Sequence, residues 1–123
     1  MVPPASQHVT AGPYSAVIDV SPGRLVVISG QAALDAAGAI GGTDIETQTR
    51  ATLDNCRRQL EAAGADLEDV FKVNVYLRDI GDWSRFNAVY REVMQPPYPV
   101  RTAIQAGLIA GLDVEIEMWA AKP

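Results

Sequence analysis

Three charged residues near the C-terminus have types and spacing that suit chemistry on a small molecule. Residues 98–107 and 114–120 both alternate with a period of two, which is typical of β-strands. This alternation predicts that Arg101, Glu115 and Glu117 share one face of a sheet. If the two runs pair as a hairpin, that face is either solvated or belongs to a site or an interface. A guanidinium group can hold a carboxylate through two parallel hydrogen bonds, and a glutamate can position or deprotonate a water molecule. A structural ion pair at an interface fits the same pattern, so both interpretations stay open at this point.

Strand-like alternation recurs in earlier parts of the chain. Residues 16–20 and 25–29 flank a Pro22-Gly23 turn and are predicted to form a hairpin. Residues 32–42 contain repeated glycines without a period and are predicted to be a loop. Residues 70–77 are predicted to be a strand with one fully apolar face, made of Phe71, Val73, Val75 and Leu77.

Two helices are predicted between these strands. Thr43 and Glu46 have the spacing of a capping box, which predicts the start of the first helix. Residues three and four apart from Ile45 to Ala63 then form an apolar stripe, and Gly64 follows it at the position where a helix commonly ends in a left-handed residue. A second helix is predicted from Asp82 to Met94, because Pro96 and Pro97 then stop it. The resulting order β-β-α-β-α-β-β predicts a single α+β domain over residues 1–123, with one sheet and both helices on one of its faces.

Composition narrows the possible functions. Lys and Arg number 10 against 15 Asp and Glu, which gives a formal net charge of −5, and no basic run suggests a nucleic-acid partner. Cys56 lies in the apolar stripe of the first helix and is predicted to be a small buried hydrophobe, whereas His8 is predicted to be a surface residue. One cysteine and one histidine cannot form a zinc or iron–sulfur ligand set, so no metal is expected. No segment has the length and hydropathy of a membrane span or a signal peptide, so we expect a cytoplasmic protein without a membrane partner.

One face of the predicted sheet has no helix to cover it. Two helices cover only one face of such a sheet, and the strand residues of the other face mix charged, amide and large apolar types. Such a mixture is more typical of an interface with pockets than of a solvated sheet. We therefore expect a homo-oligomer in which the uncovered faces close together.

An ordered set of motifs resembles the Rid family of imine and enamine deaminases, also called the YjgF/YER057c/UK114 family. The likeness covers nearly the whole chain, and the ordered set is far more specific than any one of its pieces. The matching motifs are Gly12-Pro13-Tyr14-Ser15, Ser29-Gly30-Gln31, Leu53-Asp54-Asn55, Val73-Asn74-Val75-Tyr76-Leu77, Phe86-Asn87-Ala88-Val89-Tyr90, Pro99-Val100-Arg101 and Val114-Glu115-Ile116-Glu117.

The resemblance implies a fold, an assembly and a set of site residues. The fold would be chorismate-mutase-like, assembled as a homotrimer with clefts between subunits and without a metal or organic cofactor. The family's substrate-carboxylate arginine would be Arg101, and its water-holding glutamate would be Glu115. The remaining substrate-binding positions would be Tyr14, Ser29, Asn87 and Ala103. Ala103 stands where the family commonly has a cysteine, and the connection between Arg101 and Glu115 is slightly shorter than is usual.

The activity implied by the resemblance is hydrolysis of 2-imino or 2-enamino acids, such as 2-aminoacrylate, to 2-keto acids and ammonia. Two alternatives stay open: a ligand-binding or regulatory trimer without turnover, and a ribonuclease activity reported for some relatives. The acidic charge balance disfavours the ribonuclease. The sequence does not identify the particular imine or enamine.

Overall fold

The computed structural model describes residues 12–109 and 111–123, which fold around one mixed sheet. Both helices pack on the same face of this sheet and cover a common apolar core. The predicted α+β class is therefore confirmed, and His8 lies outside the described residues. The elements in chain order are β1 (Arg24–Gln31), α1 (Ile45–Ala62), β2 (Val70–Leu77), α2 (Trp83–Val93), β3 (Val100–Gln105) and β4 (Val114–Lys122), with short 3-10 turns at Leu67–Asp69 and Ile80–Asp82.

The two C-terminal strands are not neighbours in the sheet. The strand order is β1-β4-β2-β3, so β2 lies between β3 and β4 and the two strands do not pair as a hairpin. β3 pairs with β2 in parallel, whereas β4 pairs with both β2 and β1 in antiparallel. The reason is the helix α2, because a strand-helix-strand unit brings its two strands together in parallel. β3 thereby becomes an edge strand.

The predicted strand over residues 16–20 is also wrong. The structure assigns no strand there, and the order of the described elements is β-α-β-α-β-β. Ser15 forms an isolated bridge with Val100 beside β3, whereas β1 lies at the opposite edge of the sheet. Residues 16–23 must therefore cross the end of the sheet, a distance of about 19 Å for four strand spacings. A segment that runs across the strands cannot pair with β1.

Both ends of α1 are formed by local capping interactions, and the N-cap lies one residue after the predicted one. Asp44, and not Thr43, is the N-cap, and its side chain accepts a hydrogen bond from the Thr47 amide at 3.2 Å. At the other end Gly64 has a φ of +78°, and the amide of Ala65 donates to the Leu60 carbonyl. This arrangement is a Schellman motif, which confirms the predicted role of Gly64.

The core lies between the two helices and one face of the sheet. Val73, Val75 and Leu77 are fully buried there, as predicted. Phe71 is not, because the register of β2 against β4 shifts between Val70 and Lys72 and turns Val70 inward instead. Cys56 is completely buried, and burial raises the pKa of its thiol to about 12. The prediction of a buried apolar role for Cys56 is confirmed, since a thiol with that pKa is a poor nucleophile at neutral pH.

Candidate active site

Arg101 is a buried cation held among aromatic rings. It is only 9% exposed, and its guanidinium carbon lies 4.8 Å from the ring centroid of Tyr90 and 5.2 Å from that of Trp83. Tyr14 and Phe86 complete this aromatic cage at 5.4 and 5.7 Å. The ring faces stabilise the positive charge, while burial lowers the pKa of Arg101 from its ordinary value. An arginine remains charged at neutral pH despite such a change.

The hydrogen bonds of Arg101 are incomplete along one edge. Its Nη1 donates to Asn87 Oδ1 at 2.9 Å, but Nε and Nη2 find no partner among the described residues. In a guanidinium group the Nε–H bond and one Nη2–H bond point the same way, which is the geometry that matches the two oxygens of a carboxylate. Two buried donors without partners cost about 1–3 kcal/mol each. An unpaired edge of this kind is the local feature that a bound anion would complete.

The backbone of Gly12 lies close to this unpaired edge. A Cβ atom at Gly12 would lie 2.9 Å from Arg101 Nη2, so only glycine allows the backbone to come so near. The next turn is held by the Tyr14 amide, which donates to the Gly12 carbonyl at 2.8 Å. Tyr14 and Asn87, both predicted from the sequence, therefore lie beside Arg101. Ala103 is two residues further along β3, so it lies on the same face of the sheet as Arg101, and it pairs with Val75.

Arg101 and the two glutamates lie on opposite faces of the sheet. Arg101 pairs with Val73, which pairs with Met118 on β4, and these side chains face the helices. Glu115 pairs with Tyr76 and Glu117 with Asn74, so both carboxylates lie on the face without helices. The prediction that the three share a face is wrong. Alternation within a strand shows which side chains share a face of the sheet. It does not show which of the two faces is covered by the helices.

Glu115 lies beside a bulge in β1. The register of β1 against β4 shifts between Ile28 and Gln31, and the exposed Ser29 and Gly30 occupy the bulge. A Cβ atom at Gly30 would lie 2.5 Å from Glu115 Oε2, so the glycine lets the carboxylate rest against the backbone. Ser29, also predicted as a site residue, thus belongs with Glu115 and not with Arg101.

The two glutamates differ in their surroundings. Glu117 Oε1 accepts hydrogen bonds from the Tyr76 hydroxyl and, at 3.3 Å, from Asn74 Nδ2. The bond to Glu117 raises the pKa of Tyr76. Within the described part of the chain, Glu115 has no side-chain hydrogen bond of this kind. Both carboxylates line an open depression of about 390 Å³ together with Gly30, Tyr76 and residues 106–109. Glu115 is therefore the carboxylate whose oxygens are available to a ligand or a water molecule.

Sequence reasoning missed two parts of this site. Trp83 and Tyr90 were recognisable only as helix residues, although an arginine opposite a helix rich in aromatic residues is a signal for a cation–π cage. Gln48 was also missed. Its side chain is 1% exposed and holds the β3–β4 connection: Nε2 donates to the Gly111 carbonyl at 2.8 Å, and Oε1 accepts from the Asp113 amide at 2.8 Å.

Replacing Gln48 by alanine is expected to destabilise the protein by about 1–3 kcal/mol, because it removes two hydrogen bonds from the fully buried Gln48 side chain to partly buried backbone groups of Gly111 and Asp113. Urea unfolding followed by circular dichroism measures the effect. Gln59→Ala, at an exposed position of the same helix, is the matched control and should change stability by less than about 0.5 kcal/mol. Equal stability of the two variants would show that the Gln48 amide does not hold the connection.

The fold and site define a small α+β domain with a buried, partly unpaired arginine, and comparison with known proteins places it in a family. A sequence model of the family described as Endoribonuclease L-PSP matches residues 5–122. The chain belongs to this family, which is the Rid, or YjgF/YER057c/UK114, family that its motifs resemble. Among the described residues, no helix is long and apolar enough to cross a membrane.

Individual relatives match along most of the chain. It is 42% identical over 115 residues to the protein mmf2, mitochondrial, of Schizosaccharomyces pombe, with 90% of this chain and 89% of that protein covered. It is 39% identical over 113 residues to a 2-iminobutanoate/2-iminopropanoate deaminase of Bos taurus, with coverage of 90% and 81%. The crystal structure of RidA from the Antarctic bacterium Psychrobacter sp. PAMC 21119 matches with a TM-score of 0.76 and 32% identity over 98% of this chain and 94% of that chain.

Proposed function

We propose that this protein hydrolyses 2-imino and 2-enamino acids, such as 2-aminoacrylate, to 2-keto acids and ammonia in clefts between the subunits of a homotrimer. The observation that carries the proposal is the unpaired Nε and Nη2 edge of Arg101, buried in its aromatic cage. This edge fits a carboxylate held by two parallel hydrogen bonds. The printed name of the Bos taurus relative supports the substrate class.

The chemistry needs only a positioned water molecule. With the substrate carboxylate on Arg101, Glu115 holds a water and accepts its proton as the oxygen attacks the imine carbon. The nitrogen takes up a proton and a carbinolamine forms. The C–N bond then breaks, ammonia leaves with the bonding electron pair and a proton, and the carbonyl of the 2-keto acid remains. An enamine enters the same sequence after it tautomerises to the imine.

The opposite faces of Arg101 and Glu115 imply that two chains build each cleft. A single sheet separates the two side chains, so one substrate can contact both only if a second subunit supplies one of them. The face without helices is suited to such contact, since Val27 and Ile104 are 57% and 47% exposed there. We propose a closed ring of three subunits, each using a different surface on its two neighbours.

Subunit mixing tests this arrangement directly. Arg101→Met and Glu115→Gln variants are each expected to be inactive, but unfolding and refolding them together should restore activity. With random mixing, about a quarter of the clefts would receive an intact Arg101 from one subunit and an intact Glu115 from the other. The measurement is ammonia or keto-acid formation from imines that an amino-acid oxidase generates in the cuvette, with sedimentation to determine the oligomer. No recovery of activity in a mixed trimer would contradict a cleft shared between subunits.

The same assay separates the proposed function from its alternatives. A protein that binds 2-keto acids in calorimetry but does not accelerate imine hydrolysis would be a ligand-binding trimer. RNA cleavage that survives Arg101→Ala at constant purity would indicate the ribonuclease instead.

We also propose a cytoplasmic location. The printed name of the Schizosaccharomyces pombe relative assigns that protein to mitochondria, so fluorescence microscopy of the tagged full chain in its native host is the test.

A further inference from the structure

The buried side-chain atoms that have no hydrogen-bond partner among the described residues all lie in one cluster. They are Arg101 Nε and Nη2, described above, and the hydroxyl of Tyr90. The Tyr90 ring is the nearest of the four rings around Arg101, with its centroid 4.8 Å from the guanidinium carbon. Unpaired buried polar groups are rare in folded proteins. Their concentration in a single contact indicates a shared function, since separate packing faults would be scattered over the core.

The hydroxyl of Tyr90 is not needed for the aromatic cage. Phe86 lies one turn earlier on α2 and contributes a ring 5.7 Å from the same guanidinium carbon without any polar group. A phenylalanine at position 90 would offer the same ring face to the cation. Tyr90 is completely buried, and a buried hydroxyl without a partner destabilises the folded chain. Stability therefore does not account for a tyrosine at this position.

The hydroxyl lies within electrostatic reach of the guanidinium group. Burial raises the pKa of Tyr90, and the positive charge of Arg101 opposes this change. Burial lowers the pKa of Arg101, and the strongest influence in the other direction comes from Tyr90. Because Nη1 already donates to Asn87 Oδ1 at 2.9 Å, the unused donors of the cluster are Nε, Nη2 and the Tyr90 hydroxyl.

We propose that the Tyr90 hydroxyl donates a hydrogen bond to the substrate carboxylate held by Arg101, which makes Tyr90 a further substrate-binding residue. The inference rests on the proposed function and adds one residue to its carboxylate site. An ionised carboxylate has about four lone-pair sites, and the parallel bonds from Arg101 fill half of them. A buried carboxylate is costly unless its oxygens are hydrogen-bonded, and the hydroxyl supplies one more donor. The carboxylate does not change during the reaction, so this bond stabilises substrate and transition state equally.

Tyr90→Phe tests the inference, because it keeps the ring and removes only the hydroxyl. We expect KM for oxidase-generated imines to rise by about 10-fold or more, the usual effect of losing one hydrogen bond to a charged group, and kcat to change by less than about 3-fold. The urea midpoint should stay the same or rise, because the lost hydroxyl has no partner among the described residues. Tyr98→Phe is the matched control, since this half-buried ring contacts Tyr90 with centroids 6.4 Å apart, and it should change KM by less than about 2-fold.

Calorimetry with pyruvate separates failure of the inference from failure of the proposed function. Pyruvate that binds the native protein, does not bind Arg101→Met, and binds Tyr90→Phe about 10-fold or more weakly supports the inference even if no imine is hydrolysed. Equal affinity of Tyr90→Phe and the native protein would overturn the inference and leave the carboxylate site of Arg101 intact. A lowered urea midpoint with unchanged KM and affinity would also overturn it, because the hydroxyl would then have only a structural role. Absence of pyruvate binding to the native protein would overturn the carboxylate site together with the inference.

Discussion

Replacing Arg101 by methionine is expected to lower kcat/KM for 2-imino acids by about 10³-fold or more while leaving the stability of the fold unchanged within about 1 kcal/mol. The loss follows from the two parallel charge-assisted hydrogen bonds, which contribute about 1.5–3 kcal/mol each. Stability is retained because the change removes a buried charge with two unpaired donors, which offsets the loss of the hydrogen bond to Asn87 and of the cation–π contacts, and because a flexible apolar side chain of similar length fills the aromatic cage. The imine assay and urea unfolding measure the two effects separately.

Arg101→Lys is the matched control for charge. A lysine keeps the positive charge but offers no planar pair of donors, so we expect it to lose most of the activity, about 10²-fold. If Arg101 has only a structural role, as a buried cation or as one half of an ion pair, the expected outcome is different. In that case Arg101→Met would lose several kcal/mol of stability, and Arg101→Lys would retain both stability and activity. That pattern would contradict the proposed carboxylate site.

Replacing Glu115 by glutamine is expected to reduce kcat by about 10²–10⁴-fold and to change KM by less than about 3-fold. A glutamine has nearly the same shape as a glutamate but cannot accept a proton from water. General-base catalysis typically raises the rate of a reaction by a factor of this size. Binding is retained because the substrate carboxylate is held by Arg101 on the other side of the proposed cleft. Steady-state kinetics over a range of imine concentrations separates kcat from KM.

Glu117→Gln is the control for this prediction, because Glu117 lies on the same face of the same strand. Its carboxylate already accepts hydrogen bonds from Tyr76 and Asn74, so the change should affect kcat by less than about 5-fold. A larger loss from Glu117→Gln than from Glu115→Gln would reverse the assignment of the two residues. Equal and large losses would indicate that the pair acts as a unit.

The family and much of the local structure could be predicted from the sequence. β2 has the predicted bounds, Gly64 ends the first helical segment in a left-handed conformation, and Cys56 is buried in the apolar stripe of α1. These features depend on interactions between residues a few positions apart, or on an apolar stripe that must be buried somewhere. The motif order that identifies the family is likewise a property of the chain itself.

The relative positions of the site residues depended on the tertiary structure. The period of two in β3 and β4 was correct, but it does not specify a partner strand, and the crossover through α2 inserted β2 between them. Nor does it specify which set of side chains faces the core. The rule that apolar residues face inward predicts the orientation of β4 correctly, but in β3 the aromatic residues of α2 stabilise a charged Arg101 on the inner face.

The sequence by itself therefore determined the class of fold, and it predicted which residues form the site that this fold carries. The tertiary structure decided that Arg101, with Tyr14 and Asn87, lies on one side of the sheet, and that Glu115, with the Ser29 bulge, lies on the other. The physical reason is that strand pairing and face selection are set by contacts between residues distant in sequence. Local patterns record the periodicity of a strand but not the surroundings of its two faces.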